Sequence, residues 1–100
     1  MVIYQGNTYN LPLKLTMKGA AIVDTDVKTV EFSLGELVKT YPEQATFDGE
    51  KFILPLTQEE TFALQKDTSF QIRVHFVDDS VKCTGQRAVK VMPSISKAVL

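Results

Sequence analysis

The sequence predicts an all-β chain folded as an Ig-like antiparallel β-sandwich of about seven strands, with one short helical turn at about residues 58–64. Three observations point there. Apolar side chains recur at every second position through several stretches, turn-forming residues part those stretches every 8 to 12 residues or so, and the strand–helix–strand rhythm of a parallel α/β sheet is missing.

The first alternating stretch covers residues 8–18, with Tyr9, Leu11, Leu13, Leu15 and Met17 on one side and Asn10, Pro12, Lys14, Thr16 and Lys18 on the other. Proline cannot donate to a ladder, so Pro12 places this strand at a sheet edge or at a change of partner. Gly6-Asn7 before it and Lys18-Gly19 after it are turn signals.

Residues 27–34 repeat the period, with Val30, Phe32 and Leu34 inward and Val27 breaking the rule. Gly35 permits a bend or bulge, and residues 37–41 form a short strand that Pro42 ends. Thr46-Phe47 and residues 51–56 flank Asp48-Gly49, a dipeptide suited to the positive φ angles of a tight hairpin. Phe52, Leu54 and Leu56 share one face of the returning strand, and Pro55 stops its ladder.

Thr57-Gln58-Glu59-Glu60 has the capping-box form, in which the hydroxyl accepts from the third amide and the carboxylate reaches back to the first. A short helical turn follows, packing Phe62 or Leu64 inward. Residues 69–77 make the most regular strand, with Phe70, Ile72, Val74 and Phe76 inward and Gln71, Arg73 and His75 outward. Asp78-Asp79-Ser80 turns it onto a hairpin partner at residues 81–84, and residues 88–92 make a last strand with Val89 and Val91 inward. One domain is therefore expected over residues 1–93, and residues 94–100 form a C-terminal tail.

With 100 residues the chain has room for one ordinary core, and 44% hydrophobic against 23% charged residues is a usual globular balance. Eleven Lys and Arg against twelve Asp and Glu leave a net charge of -1, which supplies no general field for nucleic acid or anionic lipid. Cys83, the single cysteine, excludes an intrachain disulfide and offers no zinc spacing, and it is expected as a small buried or half-buried hydrophobe. Residues 1–10 lack the basic start and apolar stretch of a secretory signal, and no apolar run approaches the roughly 20 residues of a membrane-spanning helix.

Residues suited to chemistry are sparse. His75 is the only histidine, it alternates outward with Arg73, and no nucleophile motif accompanies it, so no catalytic residue is expected and the chain is read as not an enzyme. Asp24 with Asp26, Glu59 with Glu60 and Asp78 with Asp79 fall in turns or caps and supply too few oxygens for calcium, so no metal is expected. The glycines stand singly, without a phosphate-cradling loop, and no cofactor is expected. Two surfaces remain for protein contacts: the edge at Pro12 and Lys14, and the tail with Ile95, Val99 and Leu100.

The order of segments resembles small domains of tailed-bacteriophage virion proteins, particularly the Ig-like N-terminal domain of baseplate upper proteins and related tail or fibre components. The matching pieces are Gln5-Gly6-Asn7-Thr8-Tyr9-Asn10-Leu11-Pro12-Leu13, Val27-Lys28-Thr29-Val30-Glu31-Phe32-Ser33-Leu34 and Leu56-Thr57-Gln58-Glu59-Glu60-Thr61. Gln71-Ile72-Arg73-Val74-His75-Phe76-Val77-Asp78-Asp79 and Val89-Lys90-Val91-Met92-Pro93-Ser94-Ile95-Ser96 complete the series. The resemblance implies an assembly module made in the bacterial cytoplasm and carried in the virion. Its partners would be other virion proteins or a second copy, with no nucleic acid, membrane or small-molecule substrate, and it transfers no individual functional residues. The same fold also serves non-catalytic adhesion modules, including carbohydrate-directed ones, for which Tyr4, Tyr9 and Tyr41 are the only tyrosines and tryptophan is absent.

Overall fold

Alternating apolar positions become sheet faces once strands pair, and the computed structural model, which describes residues 1–100, pairs them in two main sheets and one small hairpin. In chain order the strands are β1 (Val2–Tyr4), β2 (Tyr9–Leu13), β3 (Thr16–Met17), β4 (Ala20–Ala21), β5 (Val27–Leu34), β6 (Leu37–Tyr41), β7 (Thr46–Phe47) and β8 (Phe52–Leu56). The helix α1 (Gln58–Phe62) follows, then β9 (Asp67–Phe76), β10 (Val81–Cys83) and β11 (Arg87–Met92). The fold class is all-β.

The larger sheet runs β1-β11-β9-β5-β6, with β10 also paired to β9. Strands β10 and β11 share one flank of β9: β11 lies against residues 67–70 and β10 against residues 73–75. They act as one strand interrupted at residues 84–86. All pairings are antiparallel except β1 with β11, which is parallel. The smaller sheet runs β2-β8-β7. β2 is an edge strand, the position Pro12 requires.

The inward residues of both sheets enter one cluster of buried side chains. Phe52 of the smaller sheet is fully buried, with ring centroids 6.5 Å from Phe32, 5.1 Å from Tyr41 and 4.7 Å from Phe47. Offset and edge-on rings of this kind attract beyond the area they bury. Val27 is buried despite its parity because the β5–β9 register shifts between Val27 and Thr29, and the inserted residue flips its side chain to the core face.

The long first stretch is shorter than its alternation suggests. β2 stops at Leu13, and residues 16–21 form their own hairpin, with Lys18 (φ 52°) and Gly19 (φ 79°) as its two turn residues. Two positive φ angles in succession give the turn whose twist matches a β-hairpin, and glycine meets the second at no steric cost. Met17, expected inward, is exposed at this hairpin, while Leu15 is buried at its base.

The capping box forms as read: Glu60 N donates to Thr57 Oγ1 at 3.2 Å, and Thr57 N donates to Glu60 Oε1 at 2.8 Å. Leu64 is buried and Phe62 half-buried. The helix is bound to the β1–β2 turn. Gly6 N donates to Thr61 Oγ1 at 3.0 Å, and a Cβ on Gly6 would stand 2.8 Å from the Phe62 ring, so that approach needs glycine.

On the two strands that end the path of the larger sheet, the chain's own groups occupy one outward-facing residue each. On β1, the Tyr9 hydroxyl accepts from Tyr4 N at 2.9 Å, and Tyr4 O accepts from Asn7 N at 3.3 Å. On β6, the Gln44 side chain accepts from Thr40 N at 3.1 Å, while Thr40 O accepts from the amides of Gln44 and Ala45. Tyr4 and Thr40 therefore offer no free backbone group to another strand.

Candidate functional site

Side chains that sequence position marks for contact fall in separate places. Pro12 is exposed on the free edge of β2, and Lys14 just beyond it lies 3.9 Å from Glu50, both side chains more than half exposed. Such a pair adds little to stability. Ile95 and Leu100 project fully into solvent, and Val99 is exposed. The tail nevertheless runs back along α1: Lys97 Nζ donates to Gln5 Oε1 at 2.7 Å and sits 6.0 Å from the Phe62 ring centroid, and Leu100 N donates to Gln58 Oε1 at 2.8 Å. Pro12 and Lys14 on one side and the tail on the other form no common surface.

His75 lies outward and half-buried, with Nε2 3.3 Å from Asp79 Oδ1. Lys28 also donates to Asp79, at the positive-φ position (71°) of the β9–β10 turn, and chiefly this ammonium holds the Asp79 carboxyl below its ordinary range. In the same turn the Ser80 hydroxyl and amide hold Asp78 low. Asp48 is held low by the amides of Lys51 and Glu50, which its side chain accepts in the β7–β8 turn. These carboxylates shape turns.

Cys83 corrects an expectation. It is exposed, because its register partner across β9 is Arg73 on the outward face. Alternation alone gives too little to set the phase of a three-residue strand.

The buried chemistry lies at Lys39, whose β6 position faces the core side. Its Nζ donates to Pro55 O and to Glu60 Oε1, each at 2.7 Å, and the residue is only 8% exposed. Burial raises the Glu60 pKa, but the Lys39 ammonium and the Thr57 amide outweigh it and leave the carboxyl below its ordinary range. One amino group thus ties β6 of the larger sheet to β8 and α1. Beside it, a cavity of about 440 Å³ opens between the β5–β6 hairpin and α1, lined by Glu36, Leu37, Glu59, Glu60 and Leu64 among others. Lys39 shares the parity of Leu37 and Tyr41, which pack on the core, but a lysine is rarely buried without a partner, and the neighbouring carbonyl and carboxylate are what keep this one inside.

A second concavity, about 290 Å³, opens between the β3–β4 hairpin and the β9–β10–β11 face. Buried Leu15, Ile22, Ile72, Val74 and Phe76 floor it, and its ionisable rim groups Lys14, Lys82 and Arg87 are all cations apart from the Cys83 thiol. Lys82 pairs in register with Val74 and Arg87 with Phe70, so both stand on the core face of the sheet. For Arg87 a signal was present: it keeps the parity of Val89 and Val91.

No helix is long and apolar enough to cross a membrane. No family model, curated protein or solved structure matches the chain.

Proposed function

We propose that the chain is a structural module of a tailed-bacteriophage virion, associated with the tail, baseplate or fibre, folded as an Ig-like sandwich and working through protein–protein contacts. The strand order supports the sandwich part of this reading. A β1-β11-β9-β5-β6 sheet with a parallel first strand, facing a β2-β8-β7 sheet through Phe32 and Phe52, fits the Greek-key connections of Ig-like domains. The sequence segments that resemble baseplate upper proteins supply the context, since the fold alone assigns no function. In a symmetric particle, weak contacts repeated over many copies hold by effective concentration.

Mass spectrometry of purified virions from the encoding genome tests it: the chain is expected among the structural proteins, and its absence there would end the proposal. One observation favours a second reading, a non-catalytic adhesion module for carbohydrate. Exposed Tyr4 stands beside Tyr9, with Gln5 and Asn7 in the same turn, although Tyr41 packs separately on Phe52. Binding on a glycan array that Tyr4→Ala abolishes would favour it over the virion reading.

A further inference from the structure

We propose that the groove between the β3–β4 hairpin and β10–β11 receives an extended acidic segment of a partner protein, which adds as a strand to the free edge of β10. This rests on the reading that the chain acts through protein contacts, and not on its assignment to a virion.

The edge is free on its backbone. Phe76 N donates to Ser80 O and Thr84 N to Ile72 O, so the even-numbered residues of this segment face β9. By the alternation of an antiparallel ladder, the N–H and C=O groups of Val81 and Cys83 point the other way. β10 pairs with β9 alone, and β1 lies beside β11 only at residues 90–92. On the outer edges of β1 and β6, by contrast, Tyr4 and Thr40 already have their outward groups bonded to Tyr9, Asn7, Gln44 and Ala45.

The side chains name the occupant's chemistry. A strand added at β10 would send alternate side chains into the groove beside Lys82 and Arg87, over the apolar floor of Leu15, Ile22 and Val74. Neither Lys82 nor Arg87 forms an ion pair, and Lys14 has only Glu50 at 3.9 Å. Lys82 attracts the Asp78 carboxylate in the adjoining turn without forming an ion pair with it. A chain of net charge -1 therefore concentrates unpaired cations on a core-facing surface. Directly opposed unlike charges stabilise a cross-strand pair, so carboxylates at every second position of the incoming strand fit. The protein's own tail does not: its one charged side chain is Lys97, which is already held by Gln5.

The test is an NMR titration of the full chain with a blocked peptide of about seven residues alternating Glu with Val and Thr. A matched Lys peptide and dodecanoate serve as the other arms. The acidic peptide is expected to shift the Val81 and Cys83 amides and the methyls of Leu15, Ile22 and Val74, and its affinity should fall at least about tenfold in K82E/R87E, roughly the loss of one good charged contact. Both substituted residues are exposed, so the variant keeps its fold, checked by its amide spectrum. Unchanged Val81 and Cys83 amides with the acidic peptide would overturn the proposal. So would equal binding to the Lys peptide, indifference to K82E/R87E, or a response to dodecanoate alone. A chain absent from virions that still passes this titration keeps the groove and loses the virion, and the reverse result separates the two the other way.

Discussion

Along the interrupted strand β10–β11, two ends of one sheet face meet different fates. Val89 and Val91 at one end are 2% exposed, within the same core cluster as Ile3 and Leu64. At this end Val91 N donates to Lys66 O, which extends the β9–β11 pairing, and the buried Leu64, whose carbonyl accepts from Gln5 Nε2, joins the same cluster. Lys82, Thr84 and Arg87 at the other end share the face but are exposed, because only the short β3–β4 hairpin stands opposite. A position's parity chooses the face, and the covering layer then decides whether that face demands an apolar residue or admits a charge.

Exchanging the chemistry of the two ends breaks this contrast most strongly. Val91→Lys places an unpaired ammonium in the covered end and should cost several kcal/mol, enough to unfold a domain of ordinary stability, as read by chemical denaturation. At the open end, Arg87→Val should change the stability by only about 0.5 kcal/mol in either direction. A large loss there would mean that the face is covered after all.

Between these extremes lies Lys39, a charge kept inside by partners. Lys39→Ala strands Pro55 O and Glu60 and should cost about 2 kcal/mol, below the range for a wholly buried pair because the Glu60 side chain is 24% exposed. Lys39→Met refills the volume and should recover part of that loss. The pH dependence follows from Glu60, whose pKa is lowered in the folded chain. Its contribution is present above the ordinary glutamate pKa of about 4.3 and is lost as pH falls through the lower folded value. Denaturation midpoints of the wild type should therefore fall more steeply below pH of about 4.3 than those of Glu60→Gln.

An effect smaller than that of Lys39→Ala sharpens the cap. Thr57→Ala should cost about 1 kcal/mol, since it removes the acceptor of Glu60 N while leaving the Glu60 link to Lys39. A double-mutant cycle of Thr57→Ala with Lys39→Met measures how far cap and ion pair act as one unit through their shared carboxylate.

Strands with long alternation are legible in the residue pattern: β5, β6 and β8 have the expected bounds apart from a residue at one end, and the inward sets Val30, Phe32, Leu34 and Phe70, Ile72, Val74, Phe76 are all buried. The capping box and the Asp48-Gly49 hairpin are equally legible, since their bonds join residues two or three apart. Short pieces mislead. Cys83 sits on a strand too brief to show its phase, and Met17 belongs to a separate hairpin that continues the apparent alternation of β2. Of the surface residues marked for contact, only Lys14 lines the groove, while Ile95, Val99 and Leu100 lie on the tail beside α1 or in solvent.

Local patterning thus determined the all-β class, the turns, the helix cap and most inward faces, because each depends on dihedral preference or on a period of two within a few neighbouring residues. Tertiary structure alone decided which strands became neighbours, how Lys39 is kept buried and why Lys82 and Arg87 stay uncovered. Those outcomes depend on groups brought together from distant parts of the chain, where the free energy of a charge is set by the layer above it.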